Sequence, residues 1–367
     1  MTKTLDTGVR NARNVDRYVF SPGAIDGLGD LLTLRRQSDQ DRVIFLIDEF
    51  FQHNPTALGE LPIKPADTVR HVNTAIEPTT DGIDDLVEQL LIESGRPCAV
   101  IGIGGGITLD TAKATSNLMA NGGNAADYQG WDLVPAPGIY KIGIPTLSGT
   151  GAEATRTCVM TNRATGIKLG MNSDYTVFDQ LILDPDLTAT VPREQYFFSG
   201  MDAWIHCIEA LNGEYRNPIG DAFSRQAINL CRDVFSGGEM MSDENRASLM
   251  VASYLGGCAI ATSYVGVVHP FSAGLSVVLG LHHCVANCIA MMVMAPFYPQ
   301  ACDDFTNFVE ANQIDLPHGV CAGLADENFE ALYQATVVHE KPLTNALGEN
   351  FKDILTRDKV REVFEAM

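Results

Sequence analysis

Four residues constrain this chain more than any others: Asp202, His206, His269 and His283, a donor set suited to one metal ion. Asp202 and His206 lie four apart in Gly200-Met201-Asp202-Ala203-Trp204-Ile205-His206. On a helix they share a face and present a carboxylate oxygen and an imidazole nitrogen to one point. His269 and His283 set the harder condition, since one straight helix would hold them about 21 Å apart at a rise of about 1.5 Å per residue. Pro270, Gly274 and Gly280 interrupt that segment, which predicts two helices and a turn that bring His283 back to the level of His269. Any one of these histidines is more often a core or surface residue, and an isolated Asp-x-x-x-His pair is equally well accounted for by capping and solvation. The convergence of four is what points to a metal. Cys284 and Cys288 lie one turn apart and are read as core, Cys288 continuing an apolar face with Ile289 and Met292.

One carboxylate and three imidazoles suit Fe²⁺ or Zn²⁺ and also admit Mn²⁺ or Co²⁺. An open coordination position would take an alcohol oxygen and lower its pKa toward alkoxide, so that hydride can leave the carbinol carbon. That chemistry requires an acceptor elsewhere in the chain, facing the same cleft.

A chain of 367 residues exceeds one ordinary core, and two domains are expected. Prolines in Asp184-Pro185-Asp186-Leu187 and Val191-Pro192 place the boundary there, giving domains 1–190 and 191–367. With 46% hydrophobic and 19% charged residues, the composition is that of a soluble globular protein. No apolar run is long enough to span a bilayer, and Met1-Thr2-Lys3-Thr4-Leu5-Asp6-Thr7 lacks a signal-peptide core, so a cytoplasmic protein is expected. A formal charge of −21 argues against nucleic acid or an anionic membrane as a partner. The nine cysteines are odd in number and scattered in apolar settings, which suits reduced, buried thiols.

The first half alternates strand and helix patterns: Val43 to Asp48, Thr68 to Asn73, a helical spacing over residues 82 to 94 at Ile83, Leu86, Leu90 and Leu91, then Cys98 to Ile103. This predicts an α/β domain with a Rossmann-like parallel sheet covered on both faces. Directly after the strand come Gly104, Gly105 and Gly106, opening a helix through Asp110 and Lys113. Such glycines let backbone amides approach a pyrophosphate at a helix amino end. As a dinucleotide fingerprint the match is incomplete, because Ile107 stands where a third small residue belongs. A second small-residue loop, Thr146, Leu147, Ser148, Gly149 and Thr150, follows the strand Lys141 to Ile144 and offers hydroxyls and amides to phosphate or nicotinamide carboxamide. Alone, either loop is accounted for by turn and capping chemistry; two in one sheet favour a nucleotide. Asp48, ending its strand, is placed to accept from a ribose 2′-hydroxyl and to repel a 2′-phosphate, favouring NAD over NADP. From about residue 191 the pattern becomes helical, at Gly200 to Leu211, Asp221 to Val234, Asn245 to Thr262 and Val285 to Ala295, with charged peripheral helices over 303–367.

Together these motifs resemble the iron-containing, or group III, alcohol dehydrogenase family. The segment Gly104-Gly105-Gly106-Ile107-Thr108-Leu109-Asp110-Thr111-Ala112-Lys113 is similar to the family's Gly-Gly-Gly-Ser-x-x-Asp-x-x-Lys loop, with Ile107 for serine. Pro145-Thr146-Leu147-Ser148-Gly149-Thr150-Gly151-Ala152-Glu153 resembles its Pro-Thr-x-x-Gly-Thr-x-x-Glu loop, and Glu77-Pro78-Thr79 its Asn-Pro-Thr segment. Gly200-Met201-Asp202-Ala203 with His206 and Glu209 is the strongest match. The resemblance implies the dehydroquinate synthase-like fold with a mainly α-helical second domain. It also implies Asp202, His206, His269 and His283 as metal ligands, a nucleotide-contacting Lys168, and a homodimer. One departure stands out: many members carry a proton-relaying histidine four residues after the first of the last two ligands, where this chain has Ala273. His282 is a substitute by adjacency alone.

More narrowly, the chain resembles enzymes that oxidise the C8 primary alcohol of the sugar acid 3-deoxy-manno-octulosonate (Kdo) in lipopolysaccharide sugar synthesis. Such a substrate needs a cation, with Arg156, Arg163, Lys168, Arg193 and Arg216 as candidates. Competing readings are a metal-dependent lyase or cyclase of the dehydroquinate synthase type, an oxidase that passes electrons from the same alcohol to oxygen, and a non-catalytic nucleotide or sugar binder.

Overall fold

A computed structural model describes residues 13–367 of the chain. They fall into two compact units that meet in the chain between Val191 and Pro192.

In the first unit the strands are β1 (Arg17–Phe20), β2 (Val43–Asp48), β3 (Thr68–Val72), β4 (Ala99–Gly104), β5 (Gly130–Trp131), β6 (Lys141–Pro145), β7 (Thr157–Asn162), β8 (Ile167–Asn172) and β9 (Gln180–Leu183). Its helices are α1 (Leu28–Thr33), α2 (Phe50–His53), α3 (Thr80–Ser94) and α4 (Gly106–Asn121). Six strands form a sheet in the order β1-β9-β6-β4-β2-β3, every pair parallel. Strands β2, β4 and β6 are buried along their whole length, because helices cover both faces and no residue of the pleat reaches water. On one face Val43, Phe45, Ile47, Ile101, Ile103 and Ile144 pack with Leu28 and Leu32 of α1. On the other, Gly102 lets α4 lie close to β4: a Cβ there would stand 2.8 Å from that of Ala112.

This order positions the loops. From β2 the chain goes outward to β3, then returns to β4 on the other side of β2 and continues to β6. The carboxyl ends of β2 and β4 therefore flank a topological switch point, where such sheets take ligands. Asp48 and Gly104 end those two strands, and Gly104 pairs with Pro145 of β6, which brings the second loop alongside the first. The antiparallel hairpin β7–β8 is not foreshadowed by the strand and helix patterns of the sequence, since its two strands mix buried with partly buried residues and form no continuous apolar run.

The second unit is helical: α5 (Arg193–Asn212), α6 (Pro218–Phe235), α7 (Asp243–Ser263), α8 (Val268–Leu279), α9 (His283–Met292) and further helices from Pro299 onward. Gly200 accounts for how tightly α5 packs, because a Cβ there would meet Phe235 of α6 at 2.5 Å. The predicted bend between His269 and His283 exists, but it has a single cause. Pro270 lies in the first turn of α8, where its missing N–H costs no helix hydrogen bond, and Gly274 lies within the helix, where it admits Thr336 and Phe364 closely. Gly280 alone ends α8, in the left-handed conformation at φ 70°, and α9 starts three residues later.

Candidate metal centre and nucleotide loops

Asp202 and His206 fall on one face of α5, as their spacing requires, and both are buried. The Nε2 of His206 stands 3.6 Å from Oδ1 of Asp202. His269, in the first turn of α8, sets its Nε2 3.4 Å from the same oxygen, and its ring stacks on that of His206 with centroids 4.6 Å apart. His283, the first residue of α9, brings its Nε2 to 3.8 Å from Oδ2 of Asp202. One ligand atom each from Asp202, His269 and His283 lies within 4.8 Å of the others. The turn at Gly280 thus does what a straight helix could not.

Glu209, also on α5 and fully buried, fixes His269. One carboxylate oxygen accepts from the backbone N–H of Val268 at 2.5 Å and the other pairs with Nδ1 of His269. Because a carboxylate only accepts, that pairing puts the proton on Nδ1 and leaves the Nε2 lone pair facing the cluster. Burial alone would raise the Asp202 carboxyl, but His206, His283 and His269 around it hold it well below the usual carboxylate range. Burial pushes His206 down to about 4 against the pull of Asp202. His269 goes the other way, to about 9, because Glu209 and Asp202 outweigh its desolvation. Two buried carboxylates among three imidazoles make an environment that favours added positive charge. The donor set therefore fits a divalent cation.

In the first unit Gly105 caps α4 without any side-chain capping bond. The two loops press on each other: Cβ atoms added at Gly105 and Gly106 would meet Leu147 at 2.7 Å and Thr150 at 3.0 Å. Thr146 donates its N–H to the carbonyl of Gly104 at 3.1 Å, and Ser148 Oγ is buried without a hydrogen-bond partner among the described residues. A Cβ at Gly104 would meet Asp48 at 3.0 Å, so the strand-end carboxylate lies beside the first glycine. Asp48 Oδ1 accepts from the N–H of Phe50 and from Thr74 Oγ1, at 3.0 and 3.2 Å. Small residues, close backbone and an uncapped helix amino end suit a pyrophosphate.

The family models agree with this pairing of units. Residues 16–185 match the model described as iron-containing alcohol dehydrogenase, and residues 197–307 match that of the Fe-containing alcohol dehydrogenase family, C-terminal. Long-chain-alcohol dehydrogenase 1 of Geobacillus thermodenitrificans is 32% identical over 278 residues, which are 73% of this chain and 70% of that protein. The chain belongs to the iron-containing alcohol dehydrogenase family. Sulfoacetaldehyde reductase of Bilophila wadsworthia is 34% identical over 231 residues, covering 62% of this chain and 58% of the relative. Among these curated relatives the match spans from 58% to 70% of their length. The fold is shared with sulfoacetaldehyde reductase from Bifidobacterium kashiwanohense, solved in complex with NAD⁺, at a TM-score of 0.78 and 20% identity over 96% of this chain and 97% of that one.

In this member of the family several charged residues are held by partners that the sequence does not disclose. Asp110 and Lys113 both reach the chain that follows the second loop. Asp110 is half-buried and accepts from the N–H of Val159 at 2.9 Å, which ties α4 to β7. Lys113 gives its Nζ to the carbonyls of Thr155 and Thr157 at 3.0 and 2.8 Å and to Thr155 Oγ1 at 3.1 Å. Both residues hold the chain that leaves the second loop. Lys168, on β8, pairs with Glu77 at 2.5 Å. Cys288 is core as expected, and Cys284, also buried, directs its Sγ to 3.7 Å from Asp202 Oδ2.

The five candidate cations for a sugar acid are all engaged. Arg156 pairs with Asp132 and Asp174, Arg163 with Asp81, Lys168 with Glu77 and Arg216 with Asp221, while Arg193 donates to the carbonyl of Asn312. Two groups at the metal centre are not singled out by the sequence. Glu209 stands there only as part of a motif, although at seven residues from Asp202 it shares the face of α5. Asn287 belongs to no motif, although at four residues from His283 it shares the face of α9.

Proposed function

We propose that this protein is a metal- and NAD-dependent oxidoreductase that interconverts a primary alcohol and its aldehyde. The observation that carries the reading is the convergence of His206, His269 and His283 on the buried Asp202 carboxylate, in a chain that also carries the paired glycine and Thr146–Thr150 loops. Asp202 and the three imidazoles hold the divalent ion, and Glu209 keeps His269 in the tautomer that serves it. When bound, Fe²⁺ or Zn²⁺ polarises the alcohol oxygen and NAD accepts the hydride. The amides after Gly104 receive the pyrophosphate, and Asp48 accepts from the ribose 2′-hydroxyl, which selects NAD against NADP. Ala273, buried one turn after His269, offers no proton acceptor. The hydroxyl proton therefore leaves by another route, and His282, exposed at the N-cap of α9, stands beside His283 in sequence.

The sugar acid Kdo has no unengaged cation among its five candidates, so the substrate class we infer is the primary alcohol in general. The relatives that act on long-chain alcohols and on sulfoacetaldehyde support that breadth. The test is an anaerobic assay of metal-reconstituted protein, with reduced nicotinamide followed by absorbance across simple alcohols, aldehydes and sugar acids. NAD-linked turnover lost on chelation is expected. Oxygen consumption without a nicotinamide requirement would overturn the acceptor, and turnover that survives metal removal would overturn the metal.

A further inference from the structure

Asn287 is fully buried on α9, a helix whose other buried residues are Cys284, Ala286, Cys288, Ile289, Ala290 and Met291. Burying an amide in such company is costly unless its polar atoms find partners. Its Nδ2 donates to Oδ1 of Asp202 at 2.6 Å, and the same nitrogen lies 3.3 Å from Nε2 of His269 and 3.2 Å from Nε2 of His283. Its Oδ1 has no hydrogen-bond partner among the described residues. Every polar contact of this side chain is thus directed at the ligand atoms, and none serves the surrounding core.

We propose that Asn287 is a positioning residue of the metal centre, which fixes the rotation of the Asp202 carboxylate and keeps it in register with His269 and His283. This rests on the metal reading above. The geometry shows why one amide suffices. Asp202 projects from α5, His269 from α8 and His283 from α9, so nothing in any one helix sets the carboxylate plane relative to the two imidazoles. An N–H₂ group with two protons, held on α9 one turn beyond His283, reaches the carboxylate while standing beside both rings. Glu209 does the corresponding work for His269 from α5. Helices α5 and α9 therefore each bear, beside their own ligand, a group that orients a ligand from another helix.

The test uses the full chain stripped of metal and titrated with Co²⁺, whose visible absorption reports the coordination of the ion, in the wild type, N287A and N287L. Loss of the donor is expected to weaken Co²⁺ binding by roughly ten- to a hundredfold and to change the absorption spectrum, with NAD⁺ affinity unaltered. N287L keeps the buried volume, so agreement of the two variants separates the lost hydrogen bond from a cavity; if N287A does not fold, N287L alone decides. Unchanged Co²⁺ affinity and spectrum, even with a lowered melting temperature, would overturn the role of Asn287 while leaving the metal centre standing. Failure of the wild type to take up Co²⁺ would overturn the centre itself, and this inference with it.

Discussion

The helical unit and the α/β unit build their sites from different material. The first uses side chains: buried carboxylates and buried or partly buried imidazoles held by one another, so that each group's charge state depends on its neighbours. The second uses backbone: glycines that let strand, helix and loop approach within contact distance, with Asp110 and Lys113 spent on holding the chain behind them. Buried charges are sensitive to the removal of one partner, whereas a backbone cradle is sensitive to added volume. The two sites should therefore fail under opposite kinds of substitution, and separately.

Asp202→Ala and His283→Ala give the largest expected effect: loss of the ion, with turnover reduced by roughly 10³-fold or more, several kcal/mol of transition-state stabilisation, while NAD⁺ binding is retained. Metal analysis beside NAD⁺ fluorescence titration checks it, and parallel loss of nucleotide binding would erase the distinction between the two sites. Glu209→Gln is milder, with metal affinity reduced roughly ten- to a hundredfold because His269 loses its anionic partner; the same metal titration reads it. Gly105→Ala inverts the pattern. Its added methyl meets Leu147 at 2.7 Å, and NAD⁺ affinity should fall about tenfold, at a cost of the order expected for mild overpacking, with metal content intact. A Gly105→Ala protein that binds nucleotide normally would show that the loops yield where we describe them as packed.

The smallest effect appears only as a function of pH. Burial raises the Asp110 carboxyl from 3.8 to about 6, so between those values the folded chain binds more protons than the unfolded one. The contribution of Asp110 to stability is therefore greatest below about pH 4 and is lost as pH rises through about 6. Denaturant unfolding of wild type and Asp110→Asn from pH 4 to 7 should give a stability difference that drifts against the wild type with rising pH and flattens beyond that point. A constant difference would mean that Asp110 is not desolvated behind the loop.

What the residues disclose in advance follows the same division. A four-residue interval on a helix has one geometric meaning, so Asp202 and His206 pair before any fold is known. Three glycines after an apolar strand likewise announce a close backbone approach, and the strand and helix periods announce the α/β sheet and the helical second half. Glu209 and Asn287 obey the same intervals, at seven and four residues from a ligand. A carboxylate or amide on a helix face serves equally well as a solvated surface group, however, and only its partner across the bundle sets it against His269 or Asp202.

The four-ligand constraint has the same limit. It demands a bend between His269 and His283, and three breakers in the segment are equally able to supply it; only packing decides that Pro270 and Gly274 stay inside α8 and that Gly280 turns the chain. Asp110, Lys113 and the five candidate cations teach the same lesson in reverse. Sequence determines that they carry charge, and tertiary structure determines that each charge is already engaged. The physical reason is range: helix and strand periods and glycine sterics are local properties of the chain, whereas the partner of a charged or polar side chain lies wherever folding brings it.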